Sequence, residues 1–364
     1  MSLATIGEFA RAAFAPPRYL VPSPVGFDLS TSGVKAVRLS EHPHGLELAR
    51  YAEVRLPTGA FVDGEIADAN AVSAAIAEAA SGIGAYSANV TLPESKSYLF
   101  ETSAAGATKE EWRVAVEQRL DELVPLPPPE TAFDLVGIGA DASGGEKIVG
   151  VGYARRIVDQ TLAAFDSARV SVRALEGETF AMARSLVRIG DPSTVLIIDI
   201  GKTTTKMAVV TLGVPRFAAT FGIGGHALTL AVQKHFGVTE AEARRVKAEK
   251  GIVPAPGNED YLAAMLSTVS AIRDELSRRL EYWQAKAASG AHEPVARAII
   301  AGGNASLRGL PEYLSGALNI PVSPGDVFTN LASRDAWIPE LDYSESLAYA
   351  TAIGLALRDT SLYA

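Results

Sequence analysis

An α/β fold of two similar halves, with a small α+β unit inserted in the first, is predicted from three features of this 364-residue chain. The length exceeds that of a usual single domain, so two or more compact units are expected. Two stretches repeat one pattern, VGFDLSTSGVKAVRLS near the start and LIIDIGKTTTKMAVVT later. Between them, from about Tyr98 to Tyr153, the order strand, helix, proline-rich turn, strand, strand breaks the simple alternation.

The repeat is aligned on Asp28 and Asp199, which lie 171 positions apart (199 − 28). Each copy runs from apolar residues into the Asp, through an aliphatic residue and a small-residue turn, to a Lys seven positions on, Lys35 or Lys206. The reading is strand, tight turn, strand. Gly201-Lys202-Thr203 ends like a Walker P-loop, but Leu196 stands where that motif needs glycine, and a β-rich run follows instead of a helix. A carboxylate at a strand end can hold a hydrated divalent cation, and a turn of Ser, Thr and Gly lets amides and hydroxyls approach phosphate oxygens. Two such hairpins facing one another would clamp a triphosphate from both sides. Taken singly, each hairpin reads equally well as an ordinary turn with a capping Asp.

The remaining elements follow in order. MSLATIGEFARAAFAPPRYL carries Glu8 and Arg11 in what would have to be an apolar run, so no secretory signal is read; a tail ending at Pro16-Pro17 and a short surface helix touching a membrane both stay open. GLELARYAEVRLP continues the first sheet, and DANAVSAAIAEAASGIG is a helix with Asp68 near its start. In the insert, SYLFETS, TAFDLVGIGA and EKIVGVGYA are strands, and TKEEWRVAVEQRLDEL is a helix opened by a capping box of Thr108 and Glu111. RRIVDQTLAAFDSARVSVRALEGETFAMARSLV reads helix, short strand, helix, the second helix starting near Glu176 or Glu178. After the second hairpin, Gly224 and Gly225 precede a helix and permit close backbone approach at its N-terminus. TEAEARRVKAEKG is a capped charged helix, and NEDYLAAMLSTVSAIRDELSRRLEYWQAK a long amphipathic one. ARAIIAGGNASLRGLPEYLSGAL reads buried strand, glycine turn, helix, with Gly302 and Gly303 at the strand end where open α/β sheets place ligands. The expected division is tail 1–23, first domain 24–97 and 156–190 around an insert 98–155, second domain 191–358, and tail 359–364.

Composition narrows the function. Hydrophobic residues at 48% and charged residues at 21% suit a globular protein with a substantial core. A net charge of −9 argues against broad binding to a nucleic-acid backbone, though not against one small anion pocket. Without cysteine there are neither disulfides nor thiolate metal sites. No run of about 20 apolar residues spans a bilayer. His42 and His44 form a lone pair in an expected turn, and no Gly-x-Ser-x-Gly nucleophile turn occurs.

The two Asp hairpins, the Glu-bearing helix between them and IIAGGNASLRGL together resemble the actin-like ATPase superfamily. LPTGAFVDGEIADANAV, FGIGGHALTLAVQKHFGVTEAEARRVKAEKG, VSAIRDELSRRLEYW and AIGLALR are similar to the PilM-type proteins of type IV pilus assembly, relatives of the division protein FtsA. The likeness runs from about Pro24 to Arg358. It implies an α/β, actin-like (ribonuclease H-like) two-domain ATPase fold holding ATP and magnesium. On these positions, Asp28 and Asp199 would orient magnesium through water, as catalytic and metal residues. Ser30, Thr31, Ser32, Gly33, Gly201, Lys202, Thr203 and Thr204 would line the phosphates, and Lys35 would reach a phosphate oxygen. Glu176 would stand near the attacking water, with Glu178 competing for that place. Gly224 and Gly225 would approach the nucleotide, Glu242 and Lys247 the ribose and base, and Gly302 and Gly303 the adenosine.

Three departures stand out: Ser30 replaces the usual glycine of the first loop, and Lys202 and Lys206 are unusual in the second. The added cations would either strengthen phosphate binding or displace magnesium, so slow or absent hydrolysis is expected. The implied partner is the N-terminal cytoplasmic tail of a PilN-type inner-membrane protein, docked between the first domain and the insert. Membrane association would then be indirect, the protein cytoplasmic, and self-association a further mode. An FtsA-like filament protein is the alternative; the stop at RDTSLYA without an amphipathic helix speaks against it. A sugar or acid kinase would need an acceptor pocket and a base that the insert does not offer.

Overall fold

The computed structural model describes residues 24–141, 144–290, 292–358 and 360. The tail of 1–23, with its helix expectation, and most of 359–364 lie outside them.

Strand β1 (Val25–Ser30) turns through Thr31 and Ser32 into β2 (Gly33–His42), which turns again into β3 (Gly45–Arg55). A two-stranded ribbon, β4 (Phe61–Val62) and β5 (Glu65–Ile66), leads to α1 (Ala69–Ile83). Asp68 caps α1, its side chain accepting the Ala71 N–H at 3.0 Å. Strand β6 (Ser87–Leu92) then enters parallel to β1.

The insert comprises β7 (Tyr98–Ala104), α2 (Lys109–Glu117), α3 (Leu120–Leu123), β8 (Thr131–Ala140) and β9 (Glu146–Ala154). The Thr108–Glu111 capping box forms, but the single helix expected after it is two, parted by a turn at Gln118 and Arg119. The strands pair antiparallel in the order β7-β9-β8, over a small core that includes Phe100, Val116, Leu120, Val124, Leu135 and Ile148. Helix α4 (Arg155–Ser167), strand β10 (Ser171–Gly177) and helix α5 (Glu178–Leu186) return to the first sheet, whose order is β10-β6-β1-β2-β3.

The second sheet repeats this plan. Strands β11 (Val195–Ile200), β12 (Thr205–Thr211) and β13 (Val214–Phe221) form an antiparallel meander. After α6 (Gly225–Phe236), α7 (Glu240–Lys250) and α8 (Glu259–Ala288), β14 (Arg297–Ala301) pairs parallel to β11. Helix α9 (Leu310–Leu318) leads to β15 (Val322–Pro324), giving the order β13-β12-β11-β14-β15. The central strands VGFDLS and VLIIDI are buried almost throughout, as strands covered on both faces must be. On the 30-residue α8, Tyr261, Met265, Val269, Ile272, Leu276, Leu280 and Trp283 are buried at spacings of three and four, one stripe along about 45 Å.

Two short helices end the described chain, α10 (Tyr343–Ser346) and α11 (Ala350–Leu357). All of α11 is buried, yet it packs against β1, β2, β6 and α5 rather than on the sheet of its own half. Two glycines make that approach possible. A Cβ on Gly26 would lie 2.1 Å from the Ala352 carbonyl oxygen, and one on Gly354 only 1.8 Å from that of Ala181.

Candidate functional site

The spacing of seven from Asp to Lys is a cross-strand register. Asp28 lies opposite Lys35 in the β1–β2 pair, and Asp199 opposite Lys206 in β11–β12. Directly opposed residues on an antiparallel pair share a face with Cβ atoms about 5 Å apart, so each hairpin sets an acid beside an ammonium. The turns close alike: Ser30 pairs with Gly33, and the Gly201 N–H bonds the Thr204 carbonyl at 3.0 Å.

The structure brings the hairpins together. Thr31 Oγ1 and Thr203 Oγ1, one from each turn, are hydrogen-bonded at 3.0 Å. Within the first turn, Ser30 Oγ bonds Ser32 Oγ at 2.8 Å and donates to the Gly33 carbonyl at 3.2 Å, and Lys35 Nζ donates to Ser32 Oγ at 3.2 Å. Lys35 also lies 3.8 Å from Glu53. In the second, Lys202 is exposed, while its carbonyl and that of Gly201 accept the His226 and Gly225 N–H groups at 2.8 and 2.9 Å. The start of α6 therefore packs on this turn, and a Cβ on Gly224 would meet Lys202, Thr203 and Thr204 backbone atoms at 2.8 Å.

Lys206 links the second hairpin to the start of α5. Its Nζ lies 2.7 Å from Glu178 Oε2 and 3.3 Å from Asp199 Oδ2. Burial alone would lower this ammonium, but Glu178, Asp199 and Asp28 outweigh it and hold it above the ordinary lysine value. Burial raises the Asp28 carboxyl against the pull of Lys35 and Lys206. Burial likewise pushes Glu178 up to about 7, opposed by Lys206 and assisted by Asp28. The carboxylates around Lys206 outnumber the ammoniums, so one holds a proton toward neutrality.

Stability should therefore fall with rising pH. Glu178 and Asp28 both bind protons more tightly in the folded chain; the Glu178 contribution is full below about pH 4.5 and lost as pH passes about 7. Lys247 and His292, both lowered chiefly by burial, act in the opposite sense. The thermal midpoint is expected to be higher at about pH 5.5 than at about pH 8, and Glu178→Gln to flatten the difference; a slope unchanged by that substitution would refute the assignment.

Glu176 is not in this cluster. Arg184 grips it with two hydrogen bonds of 2.6 and 2.8 Å, and Arg358 adds a third at 3.0 Å. Its carboxylate ends the strand among arginines, whereas Glu178 opens α5 and meets Lys206 beside the second hairpin. Glu242 is likewise engaged locally, accepting the Thr239 N–H at 2.9 Å in a capping box on the exposed start of α7. Lys247 is brought in, donating to Asn304 Oδ1 at 2.8 Å, Thr229 Oγ1 at 3.1 Å and the Gly225 carbonyl at 3.2 Å. Burial, with Arg244 adding, lowers it to about 8.

Asn304 is the residue that sequence reasoning missed. Its Nδ2 donates to the Gly201 and Ile200 carbonyls at 3.0 and 3.2 Å, tying the loop after β14 to the second turn. Its position directly after Gly302-Gly303 was the one signal for it. Gly302 has φ +90°, and a Cβ there would fall 2.3 Å from Asp199 Oδ1, so this backbone approaches the acid as only glycine can. Gly303 faces open space, the nearest atom to a Cβ there being Ala348 Cβ at 4.0 Å.

The magnesium that the resemblance implies does not fit these residues. Such an ion needs six oxygens in a near-octahedral shell at about 2.0–2.1 Å and keeps much of its water. Asp28 and Asp199, expected to orient it, each stand opposite a lysine, and Lys206 already bridges Asp199 to Glu178. At an effective dielectric of about 20, a doubly charged ion about 4 Å from that ammonium is repelled by about 8 kcal/mol, which offsets the attraction of one carboxylate at that distance. Among the described residues, no group of three His, Cys, Asp or Glu side chains is arranged to hold a metal.

A second feature is a cavity of about 720 Å³ between the insert and α5, with Phe133, Val136, Tyr153, Phe180, Arg184 and Ile189 in its walls. Residues 132–136 of β8, an edge strand of the insert sheet, form one side.

The family model for the type IV pilus assembly protein PilM matches residues 26–360. The chain belongs to this family. Among solved structures, a PilM-PilN type IV pilus biogenesis complex is similar at 21% identity, covering 94% of this chain and 99% of that one, with a TM-score of 0.75. The ethanolamine utilization protein EutJ from Carboxydothermus hydrogenoformans matches at 17% identity over 94% of this chain and 90% of that one, TM-score 0.53. MreB5 of Spiroplasma citri bound to ADP matches at 14% identity over 90% and 94%, TM-score 0.51. These structures share the actin-like fold with this PilM-family chain, and the division-protein alternative is not favoured. No helix among the described residues is long and apolar enough to cross a membrane.

Proposed function

We propose that this PilM-family chain is an actin-like, ATP-binding scaffold at the inner face of the cytoplasmic membrane, recruited there by the cytoplasmic N-terminal tail of a PilN-type protein. The observation that carries the docking half is the cavity beside β8. Its volume of about 720 Å³ and its edge-strand wall suit an extended segment that adds to the sheet and sets alternate side chains into the groove. The similar PilM-PilN complex supports this choice of partner.

The paired hairpins support the nucleotide half, together with the ADP bound to MreB5. A polyphosphate entering the cleft would take over the Thr31 and Thr203 hydroxyls and the turn amides of 30–33 and 201–204. Gly224, Gly225, Lys247, Gly302 and Gly303 would border the nucleoside. For the magnesium expected with ATP, Lys206 is the obstacle. The domain limits we propose are those of the sequence, with α11 assigned by its packing to the first sheet.

A labelled peptide of the partner tail tests the docking. It should bind the wild-type protein, and Val136→Asp, at a half-exposed position on the wall, should weaken it roughly tenfold. Equal binding to both proteins, or none with or without ATP, would sink the reading.

A further inference from the structure

Lys206 stands beside the acid of the second hairpin that was expected to orient a metal. Register places it opposite Asp199, and its ammonium bridges Asp199 Oδ2 at 3.3 Å and Glu178 Oε2 at 2.7 Å, within the field of Asp28. Its side chain is 15% exposed, those of Asp199 and Glu178 13% and 4%, so swinging the lysine away would leave buried carboxylates unpaired. In the first hairpin Lys35 stands opposite Asp28 in register, donates to Ser32 and lies 3.8 Å from Glu53. Each acid of the repeat thus has its own ammonium, supplied by its own hairpin.

We infer that the Lys206 ammonium is the resident cation of this site: it takes the place of a divalent ion beside Asp199, so that a nucleoside triphosphate binds without magnesium. Exclusion of the metal stands on the carboxylate cluster alone; only the second half rests on the nucleotide reading above. An ammonium attracts phosphate oxygens and donates hydrogen bonds, but it does not hold water in a fixed coordination shell as a divalent ion does. On this reading a polyphosphate meets the ammonium and the turn amides, and no metal-bound water is organised there.

Two titrations of the full chain decide this separately. In the first, Mn²⁺ is added without nucleotide and free Mn²⁺ is followed by electron paramagnetic resonance. Wild type should show no uptake that Asp199→Asn removes. Lys206→Ala should take up one ion per chain about tenfold or more tightly than wild type, and lose it on adding Asp199→Asn. In the second, ATP is titrated in EDTA and in magnesium. Wild-type affinities should agree within about threefold, whereas Lys206→Ala should bind about tenfold better with magnesium.

Wild-type Mn²⁺ uptake that depends on Asp199 overturns the inference. So does wild-type ATP binding that requires magnesium, or a folded Lys206→Ala protein that takes no Mn²⁺. Absence of ATP binding in both media would instead remove the nucleotide reading, while the Mn²⁺ titration still decides the role of Lys206. Circular dichroism reports whether Lys206→Ala is folded, and if it is not, the wild-type titrations decide alone.

Discussion

Lys206→Met is expected to cost about 3–5 kcal/mol of folding stability at neutral pH, the usual loss when one partner is removed from a buried ion cluster. The substitution keeps much of the side-chain volume, so the effect is electrostatic rather than a cavity. Asp199 and Glu178 would face one another, with Asp28 nearby, in a site that water barely reaches. Acid should reverse the loss. Without the ammonium these carboxyls titrate still higher in the folded chain, so stability returns as pH falls toward about 5 and is lost as pH rises. Urea unfolding of both proteins at about pH 5.5 and about pH 7.5 measures the gap. A loss below about 1 kcal/mol at neutral pH, or a gap independent of pH, would mean that the cluster is solvated and Lys206 incidental.

Gly354→Val should destabilise the protein by about 3 kcal/mol, for an unrelated reason. Here the obstruction is backbone, the Ala181 carbonyl of α5, which no side-chain rotation relieves. Arg184 fastens the same point, donating to the Gly354 carbonyl at 2.7 Å while it holds Glu176. A wedge between α11 and α5 would also move Glu178, which opens α5, away from Lys206. The contrast is Gly316 in α9, where a Cβ meets nothing within 4 Å. Gly316→Ala should therefore gain roughly 0.5–1 kcal/mol from the smaller entropy cost of alanine in a helix. Thermal midpoints of the two variants read this directly; a neutral Gly354→Val would show that α11 does not pack as described.

The separation of Asp28 from Glu176 and Glu178 by some 150 positions explains why the site was only partly legible. Register is local: once a two-residue turn joins two strands, a spacing of seven places the lysine opposite the acid, and the sequence carried that pairing twice. Glu176 and Glu178 are two residues apart and chemically alike. Which one faces Lys206 depends on where β10 stops and α5 starts, and on the arginines that packing delivers to the strand end. Strand β6, SANVTL, had too short and mixed a pattern to be read without its neighbours.

By itself, then, the sequence determined the doubled hairpin, the glycine turns that let loops approach it, the insert and the family, because each rests on contacts between near neighbours in the chain. Tertiary structure alone decided that Thr31 meets Thr203, that α11 crosses to the first sheet, and that Lys206 collects carboxylates from both halves. The Thr31–Thr203 contact, the crossing of α11 and the approach of Lys206 to Asp28 join segments about 170–330 residues apart, and their energy comes from burial and mutual charge, which no local pattern encodes.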